Sequence, residues 1–207
     1  MGKFKNNKKI TERYFAKRVL NEFVPEEWIQ AILDSNSSRK KGKCGEVKLL
    51  SILQKLNIDE VKTWNDFLTE KKCVAQFSKV FSLNNVRDKL GVKIKTKKQN
   101  KDLDLIIKID KKIFIVEAKH LNTSGGGQDK QIAELIEITN LKEKNENVFY
   151  IAFLDGNYSN ILLGSKKCGD KLKTQRKEIK KYLKNNSRNY WLNTAGFNAL
   201  FFDLINF

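Results

Sequence analysis

The stretch from Lys101 to His120 most constrains the fold, because it holds two apolar runs of strand length separated by a short polar break. Asp102 and Asp104 lie at the start of the first run, and Glu117-Ala118-Lys119 lies at the end of the second. The break is Asp110-Lys111-Lys112. Polar residues between two runs rich in Ile and Val are typical of a β-hairpin. The sequence therefore predicts two antiparallel strands with charged ends.

The charged residues of this hairpin are predicted to converge on one face. Side chains alternate along a strand, so Glu117 and Lys119 share a face. If residue 110 pairs with residue 113, Asp104 lies opposite Lys119, and Asp102 lies opposite residue 121. Directly paired residues of antiparallel strands share a face. Both aspartates, Glu117 and Lys119 then lie together at one end of the hairpin.

Such a cluster suits metal-assisted hydrolysis of a phosphodiester. Carboxylates held together need a cation, and a hard cation such as Mg²⁺ takes oxygen ligands. A neighbouring lysine can orient a water molecule or stabilise developing negative charge. The alternative is an ordinary hairpin whose charged ends are solvated. The unbroken apolar run Ile113–Val116 argues against it, because a strand buried on both faces leaves little room for loose charges.

Hydrophobic periodicity and turn residues predict an alternation of helices and strands along the chain. Gly91 is expected to cap the helical region that precedes it. The predicted helical regions are Ile10–Leu33, Cys44–Leu56, Trp64–Leu90 (in two segments), Gln128–Lys144 and Lys171–Leu183. The predicted strands are Val92–Thr96, Leu103–Ile109, Ile113–His120 and Val148–Leu154, and the apolar tail Tyr190–Phe207 is expected to pack into the core.

Asp104 (or Asp102), Glu117 and Lys119 resemble the signature of the PD-(D/E)xK nuclease superfamily, which includes most type II restriction endonucleases. The proline that often precedes the aspartate is absent. The predicted order of elements from 44 to 154 also resembles the superfamily's αβββαβ core. The resemblance implies an α/β fold in which helices flank a mixed central sheet, with a helical N-terminal extension.

The resemblance also implies roles for individual residues. Asp104 and Glu117 would bind Mg²⁺, with Mn²⁺ able to substitute, and Asp102 is the alternative to Asp104. Lys119 would position the attacking water and stabilise the transition state. Glu46 would be an auxiliary metal ligand, or would simply interact favourably with the positive N-terminal end of its helix dipole.

Other polar residues have two interpretations each. Gln128 and Gln131 open the helix after the catalytic strand and would contact DNA or metal-bound water, or are plain surface residues. His120 points away from Glu117 and Lys119 by alternation, which favours a structural role.

The net charge points to a polyanionic partner. The 207 residues carry a formal charge of +17, and nucleic acid is the natural partner for such a surface. The basic side chains predicted to contact DNA lie in a loop before the Glu46 helix and along one face of a later helix. They are Arg39, Lys41 and Lys43, then Lys173, Arg176, Lys177 and Lys180, and the alternative for both groups is a solvated surface.

Composition excludes several classes of site. The cysteines Cys44, Cys73 and Cys168 are isolated and His120 is the only histidine, so a disulfide framework, a zinc site or a His-pair metal site is not expected. No signal peptide or membrane-spanning run is found, so a cytoplasmic location is expected. We expect one nuclease domain over 1–207 with its catalytic core at about 44–154 and the outer parts contributing DNA contacts or dimerisation.

These observations predict a type II restriction endonuclease that cleaves double-stranded DNA at a specific short sequence. The resemblance further implies a homodimer with a cognate DNA methyltransferase as its functional partner, and no membrane association is expected. Two alternatives remain open: a structure-specific resolvase or repair nuclease of the same fold, and a non-catalytic DNA-binding protein.

Overall fold

The computed structural model describes residues 44–96, 103–122, 127–164 and 169–206. Residues 45–207 form one compact unit, and the sheet with its helices belongs to it. The elements in chain order are α1 (Cys44–Lys55), β1 (Asp59–Glu60), α2 (Trp64–Thr69), β2 (Lys72–Gln76), α3 (Leu83–Leu90), β3 (Leu105–Ile109), β4 (Lys112–His120), α4 (Gly127–Thr139), β5 (Val148–Asp155), α5 (Asn157–Gly164), α6 (Asp170–Asn185), β6 (Tyr190–Leu192) and α7 (Thr194–Asn206).

One mixed six-stranded sheet organises these elements, with the strands in the spatial order β1 to β6. β2, β3 and β4 form an antiparallel meander. β1 is parallel to β2, while β4, β5 and β6 run parallel to one another. The prediction of an α/β fold with a mixed central sheet flanked by helices is confirmed.

The central strands bury both of their faces. On one face, Ile106 and Ile115 belong to a core that also contains Ile132 and Leu135 of α4. On the other face, alternate strand residues such as Val116 pack in a second core with side chains of α1 and α7. Burial on both sides explains why these strands are continuous apolar runs in the sequence.

Several predicted elements are confirmed. α1, β3, β4, β5 and α6 lie where periodicity placed them, with ends that differ by a few residues. Gly91 ends α3 in the left-handed conformation, with φ of 64°, as expected of a glycine C-cap. The C-terminal tail does pack into the core as β6 and α7, and Phe197 and Phe201 are fully buried there.

The first strand of the meander was predicted wrongly. The alternating segment Val92–Thr96 is not a strand; instead β2, within a region predicted to be helical, pairs with β3. Hydrogen bonds from two side chains to the backbone override the alternation. Arg87 donates to the carbonyls of Lys93 and Ile94, and Glu143 accepts from their N–H groups. Ile94 adopts a positive φ of 40°, which is incompatible with a regular strand.

Three further outcomes concern helices. α4 ends at Thr139 rather than at Lys144, because hydrogen bonds from Asn140 to Glu137 and from Leu141 to Ile138 tighten the chain there. α5 was not predicted. Two predictions lie outside the described residues, namely the helical region Ile10–Leu33 and the basic loop before α1. Among the helices that the structure describes, none has the length and apolar character of a membrane span.

Candidate active site

The β3–β4 hairpin has a tighter turn than the sequence suggested. Ile109 pairs with Lys112, so Asp110 and Lys111 alone form the connection, and the predicted pairing of residues 110 and 113 is wrong. Asp110 adopts a positive φ of 53°, which a short polar side chain tolerates better than most. Its N–H donates to the carbonyl of Lys71 at 2.7 Å, which fixes the turn against the start of β2.

The tighter turn changes which residues face each other at the far end of the hairpin. Leu105 pairs with Val116, so the next pair in this register is Asp104 with Glu117, not Asp104 with Lys119. The register differs by two residues from the predicted one, and an even shift keeps every side chain on its predicted face. The predicted convergence of Asp104, Glu117 and Lys119 on one face therefore holds, with Asp104 closer to Glu117 than expected.

Asp104 is held by both neighbouring strands. Its N–H donates to the carbonyl of Val116 at 3.0 Å, and its own carbonyl accepts from the N–H of Phe77 at 3.1 Å. The carboxylate oxygen Oδ2 accepts from the N–H of Ala118 at 2.6 Å. Main chain and side chain are thus fixed together at the open end of the hairpin.

Glu117 and Lys119 form an ion pair within β4. The Lys119 Nζ lies 2.5 Å from the Glu117 Oε1, and the side chains are 19% and 1% exposed, respectively. A buried carboxylate without compensating charge would be costly, and Lys119 supplies that charge. By alternation both side chains lie on the face of Ile115, which is covered by α4.

The pKa of Asp104 is raised to about 7. Burial is the larger cause, and the negative charge of Glu117 is the second. The charge of Lys119 and the hydrogen bond from Ala118 oppose this shift. The negative charge of Glu117 thus disfavours the ionisation of Asp104. A divalent cation between them would remove that repulsion, so the donor set fits a hard metal ion bound through carboxylate oxygens.

The metal ligands predicted from the sequence are only partly brought together. Asp104 and Glu117 are adjacent, and the charge of Glu46 in the first turn of α1 has a weaker influence on Asp104. Asp102 lies outside the described residues. Among the described residues, no group of three or more His, Cys, Asp or Glu side chains is arranged to hold a metal ion. Mg²⁺ is often bound by only one or two carboxylates together with water and substrate phosphate, so two carboxylates remain compatible with it.

The predicted DNA-contacting residues are dispersed. Gln128 and Gln131 are half-buried on α4, the helix that covers the face of Glu117. Lys177 and Lys180 are exposed on α6. Arg176 instead donates to the carbonyls of Ile161 and Leu162 and so fastens α6 to the end of α5.

The remaining predicted contacts have mixed outcomes. Lys173 is exposed and pairs with Asp170 at 3.1 Å. Arg39, Lys41 and Lys43 lie outside the described residues. Each of these assignments therefore stays a prediction.

A polar cluster next to the candidate site was missed by sequence reasoning. Asp155 at the end of β5 accepts hydrogen bonds from Lys48 of α1 and Thr194 of α7, and it contacts His120 at the end of β4. Burial opposes ionisation of Asp155, but the hydrogen bonds from His120, Lys48 and Thr194 outweigh it and hold the pKa well below its usual range. One signal was available: a predicted helix separates the predicted strands Ile113–His120 and Val148–Leu154, and such a crossover makes the two strands parallel, so that their carboxyl ends meet at one edge of the sheet.

Comparison with known proteins gives one result. The family model described as DpnII restriction endonuclease matches residues 27–190, which is more than half of the 207 residues and includes every element from α1 to α6. No curated protein and no solved structure matches the chain significantly. The chain belongs to the DpnII restriction endonuclease family.

Proposed function

We propose that this chain is a type II restriction endonuclease that hydrolyses duplex DNA at a specific short sequence with Mg²⁺, or Mn²⁺ in its place. Membership of a restriction endonuclease family supports a nuclease that acts on DNA. The observation that carries the metal-dependent chemistry is the convergence of Asp104, Glu117 and Lys119 at the open end of the hairpin.

The proposal includes the PD-(D/E)xK assignment. It is supported by the order α1, then the antiparallel strands β2, β3 and β4, then α4 and the parallel strand β5. β1, α2 and α3 are insertions in that scheme. Asp104 precedes β3 and Glu117 lies near the end of β4, as the superfamily signature requires.

Asp104 and Glu117 would hold the metal, with Glu46 as an auxiliary ligand and Asp102 as the alternative to Asp104. Bound there, Mg²⁺ would supply Lewis-acid activation of the scissile phosphate and of water. Asp104 would orient one carboxylate oxygen towards the metal while the N–H of Ala118 holds the other oxygen. Glu117 is almost fully buried, so its charge would act on the metal with little screening by water.

Lys119 would act on the attacking water and on the phosphate. Its ammonium group carries several N–H donors but pairs with one Glu117 oxygen at 2.5 Å, so other donors can reach water or a phosphate oxygen. Its side chain is partly exposed. A positive charge there stabilises the negative charge that develops in the transition state.

DNA would be bound largely through phosphate contacts. The formal charge of +17 favours binding to a polyanion by counterion release. We further propose that the enzyme acts as a homodimer on a palindromic site and that a cognate methyltransferase protects the host sequence. Gln128 and Gln131 are candidates for contacts with DNA or metal-bound water, because α4 covers the face on which Glu117 and Lys119 lie.

A plasmid digest tests the proposal directly. We expect discrete fragments with Mg²⁺ or Mn²⁺ and none with chelator. Glu117→Gln and Lys119→Met should each lower the cleavage rate by about 100-fold or more while DNA binding persists. Matched controls are Glu146→Gln and Lys144→Met, two exposed residues in the loop before β5, which should cleave like the wild type.

Each other outcome contradicts a different part of the proposal. A smear instead of discrete fragments would favour a repair nuclease or resolvase. A mobility shift without cleavage under any metal would favour a non-catalytic DNA-binding protein. Full activity in chelator, or in the Glu117 and Lys119 variants, would remove the catalytic assignment.

A further inference from the structure

Four polar side chains form a cluster on the side of the sheet opposite the candidate catalytic residues, and we call it the Asp155 cluster. Asp155 Oδ2 lies 2.7 Å from Lys48 Nζ and 3.3 Å from His120 Nδ1. Asp155 Oδ1 accepts from Thr194 Oγ1 at 2.8 Å. One carboxylate therefore links α1, β4, β5 and α7.

The carboxylate at the centre of the cluster is the least exposed of its charged groups. The side chain of Asp155 is 14% exposed, against 20% for His120 and 43% for Lys48. Removing a partner from a largely buried charge costs more than breaking a surface ion pair, because water cannot fully replace the missing partner. The cluster is therefore expected to hold its elements firmly.

The backbone ties the same two strand ends together. Leu121 donates to the carbonyl of Asp155 at 2.9 Å, and Tyr158 donates to the carbonyl of Leu121 at 3.0 Å. Gly156 follows Asp155 with φ of 90°, and a Cβ there would collide with the Leu121 carbonyl. The end of β4 is thus fixed one residue beyond His120, which itself follows Lys119.

The first turn of α1 packs against the same strand. A Cβ at Gly45 would lie 3.4 Å from the Cβ of Ala118, the residue between Glu117 and Lys119. Glu46 comes next, and its charge acts on Asp104. Lys48 is two residues further on, so its ion pair with Asp155 fixes the turn of helix that carries Glu46.

We propose that Asp155 is a positioning residue: by binding Lys48, it fixes the first turn of α1, which carries Glu46, against Ala118 of β4. This inference rests on the proposed function, because it assigns the cluster to the geometry of that same site. Asp155 acts through Lys48 and His120 and does not itself meet substrate. Partners that orient metal ligands in this way commonly change metal affinity or activity by about 10- to 100-fold when they are replaced.

The test compares Asp155→Asn with the matched control Asp203→Asn, which makes the same change at an exposed position of α7. Lys48→Met is the second variant, because it breaks the same ion pair from the other side. The first measurement is hydrogen exchange of the α1 amides without metal or DNA. Asp155→Asn and Lys48→Met should speed exchange in the first turns of α1, and Asp203→Asn should leave it unchanged.

The second measurement is Mn²⁺ binding by calorimetry in the absence of DNA. Asp155→Asn should weaken binding by about tenfold, and Lys48→Met should do the same. If Asp155 acts on Mn²⁺ affinity through Glu46, then Asp155→Asn should weaken Mn²⁺ binding little further in a protein that already carries Glu46→Gln, since the effects of coupled residues are not additive. A general loss of stability would not produce this non-additivity with Glu46→Gln.

The outcomes separate this inference from the function on which it rests. If the wild type neither binds Mn²⁺ nor cleaves DNA, the proposed function fails and the role given to Glu46 fails with it. If the wild type does both, but Asp155→Asn and Lys48→Met match Asp203→Asn in exchange and in Mn²⁺ affinity, only the positioning role is overturned. Full additivity with Glu46→Gln would likewise overturn it. If Asp155→Asn fails to fold, Lys48→Met decides the matter.

Discussion

Replacing Asp104 by asparagine should make the metal-free protein more stable at neutral to alkaline pH while it abolishes cleavage. Burial and the charge of Glu117 raise the pKa of Asp104 from 3.8 to about 7. An acid whose pKa is higher in the folded state than in the unfolded chain loses stability on ionisation. Asparagine has nearly the same shape and can still accept the hydrogen bond from Ala118, but it carries no charge at any pH.

The size of the effect follows from the pKa difference. Each pKa unit corresponds to about 1.4 kcal/mol, so the shift from 3.8 to about 7 limits the penalty to roughly 4 kcal/mol. Asp104 is half-buried rather than enclosed, and water screens part of the interaction, so we expect about 2 kcal/mol. The penalty appears as pH rises from about 4, where the unfolded aspartate ionises, and is complete above about pH 7.

Urea unfolding in chelator measures this difference. The free energy of unfolding of Asp104→Asn should exceed that of the wild type by an amount that grows between about pH 4 and about pH 7. Asp203→Asn, at an exposed position, should show no such trend. Adding Mg²⁺ should stabilise the wild type and not Asp104→Asn, because a ligand stabilises only the state that binds it. An asparagine variant that is equally or less stable than the wild type at the alkaline end of this range would refute the reasoning.

Three further predictions concern DNA binding, thermal stability and cleavage. Non-specific affinity should fall steeply with salt, and neutralising three of the exposed lysines of α6 should reduce that slope by almost one unit for each phosphate contact that is removed. An unchanged slope would mean that this helix is a solvated surface. The lysines are Lys173, Lys177 and Lys180. Arg176→Gln should instead lower the melting temperature, because its guanidinium holds backbone carbonyls of α5; a change in salt slope alone would contradict this. Asp104→Ala should lose orders of magnitude in cleavage rate and Asp102→Ala much less, and the reverse ranking would transfer the ligand role to Asp102.

The candidate site was predictable where it depends on strand alternation alone. Glu117 and Lys119 had to share a face because they are two positions apart on one strand, and His120 had to point away. The pairing register of β3 with β4 could not be predicted from alternation. It depends on whether Asp110 takes a positive φ, and that choice is fixed by a hydrogen bond to Lys71, a contact between segments far apart in the sequence.

The missed features also depend on distant partners. The segment Val92–Thr96 alternates like a strand, but Arg87 and Glu143 take the backbone groups that a neighbouring strand would need. β2 was hidden because its buried part is only Cys73, Val74 and Ala75, too short for any period to be recognised. The Asp155 cluster draws one side chain from each of four elements, so no local pattern marks it.

The side chains of Arg87 and Glu143 bind the backbone of Lys93 and Ile94, and we call this arrangement the clamp. It bears on how freely the connection to Asp104 can change. Arg87 and Glu143 fix the chain at Ile94, and Tyr150 donates to Glu143 at 2.7 Å to hold the clamp in place. At the other side, Leu103 is buried and Asp104 is bonded to β4 and β2. Residues 95–102 therefore connect two independently anchored points. Changes in the length or composition of that connection therefore need not displace Asp104 from its hydrogen bonds to Val116 and Phe77.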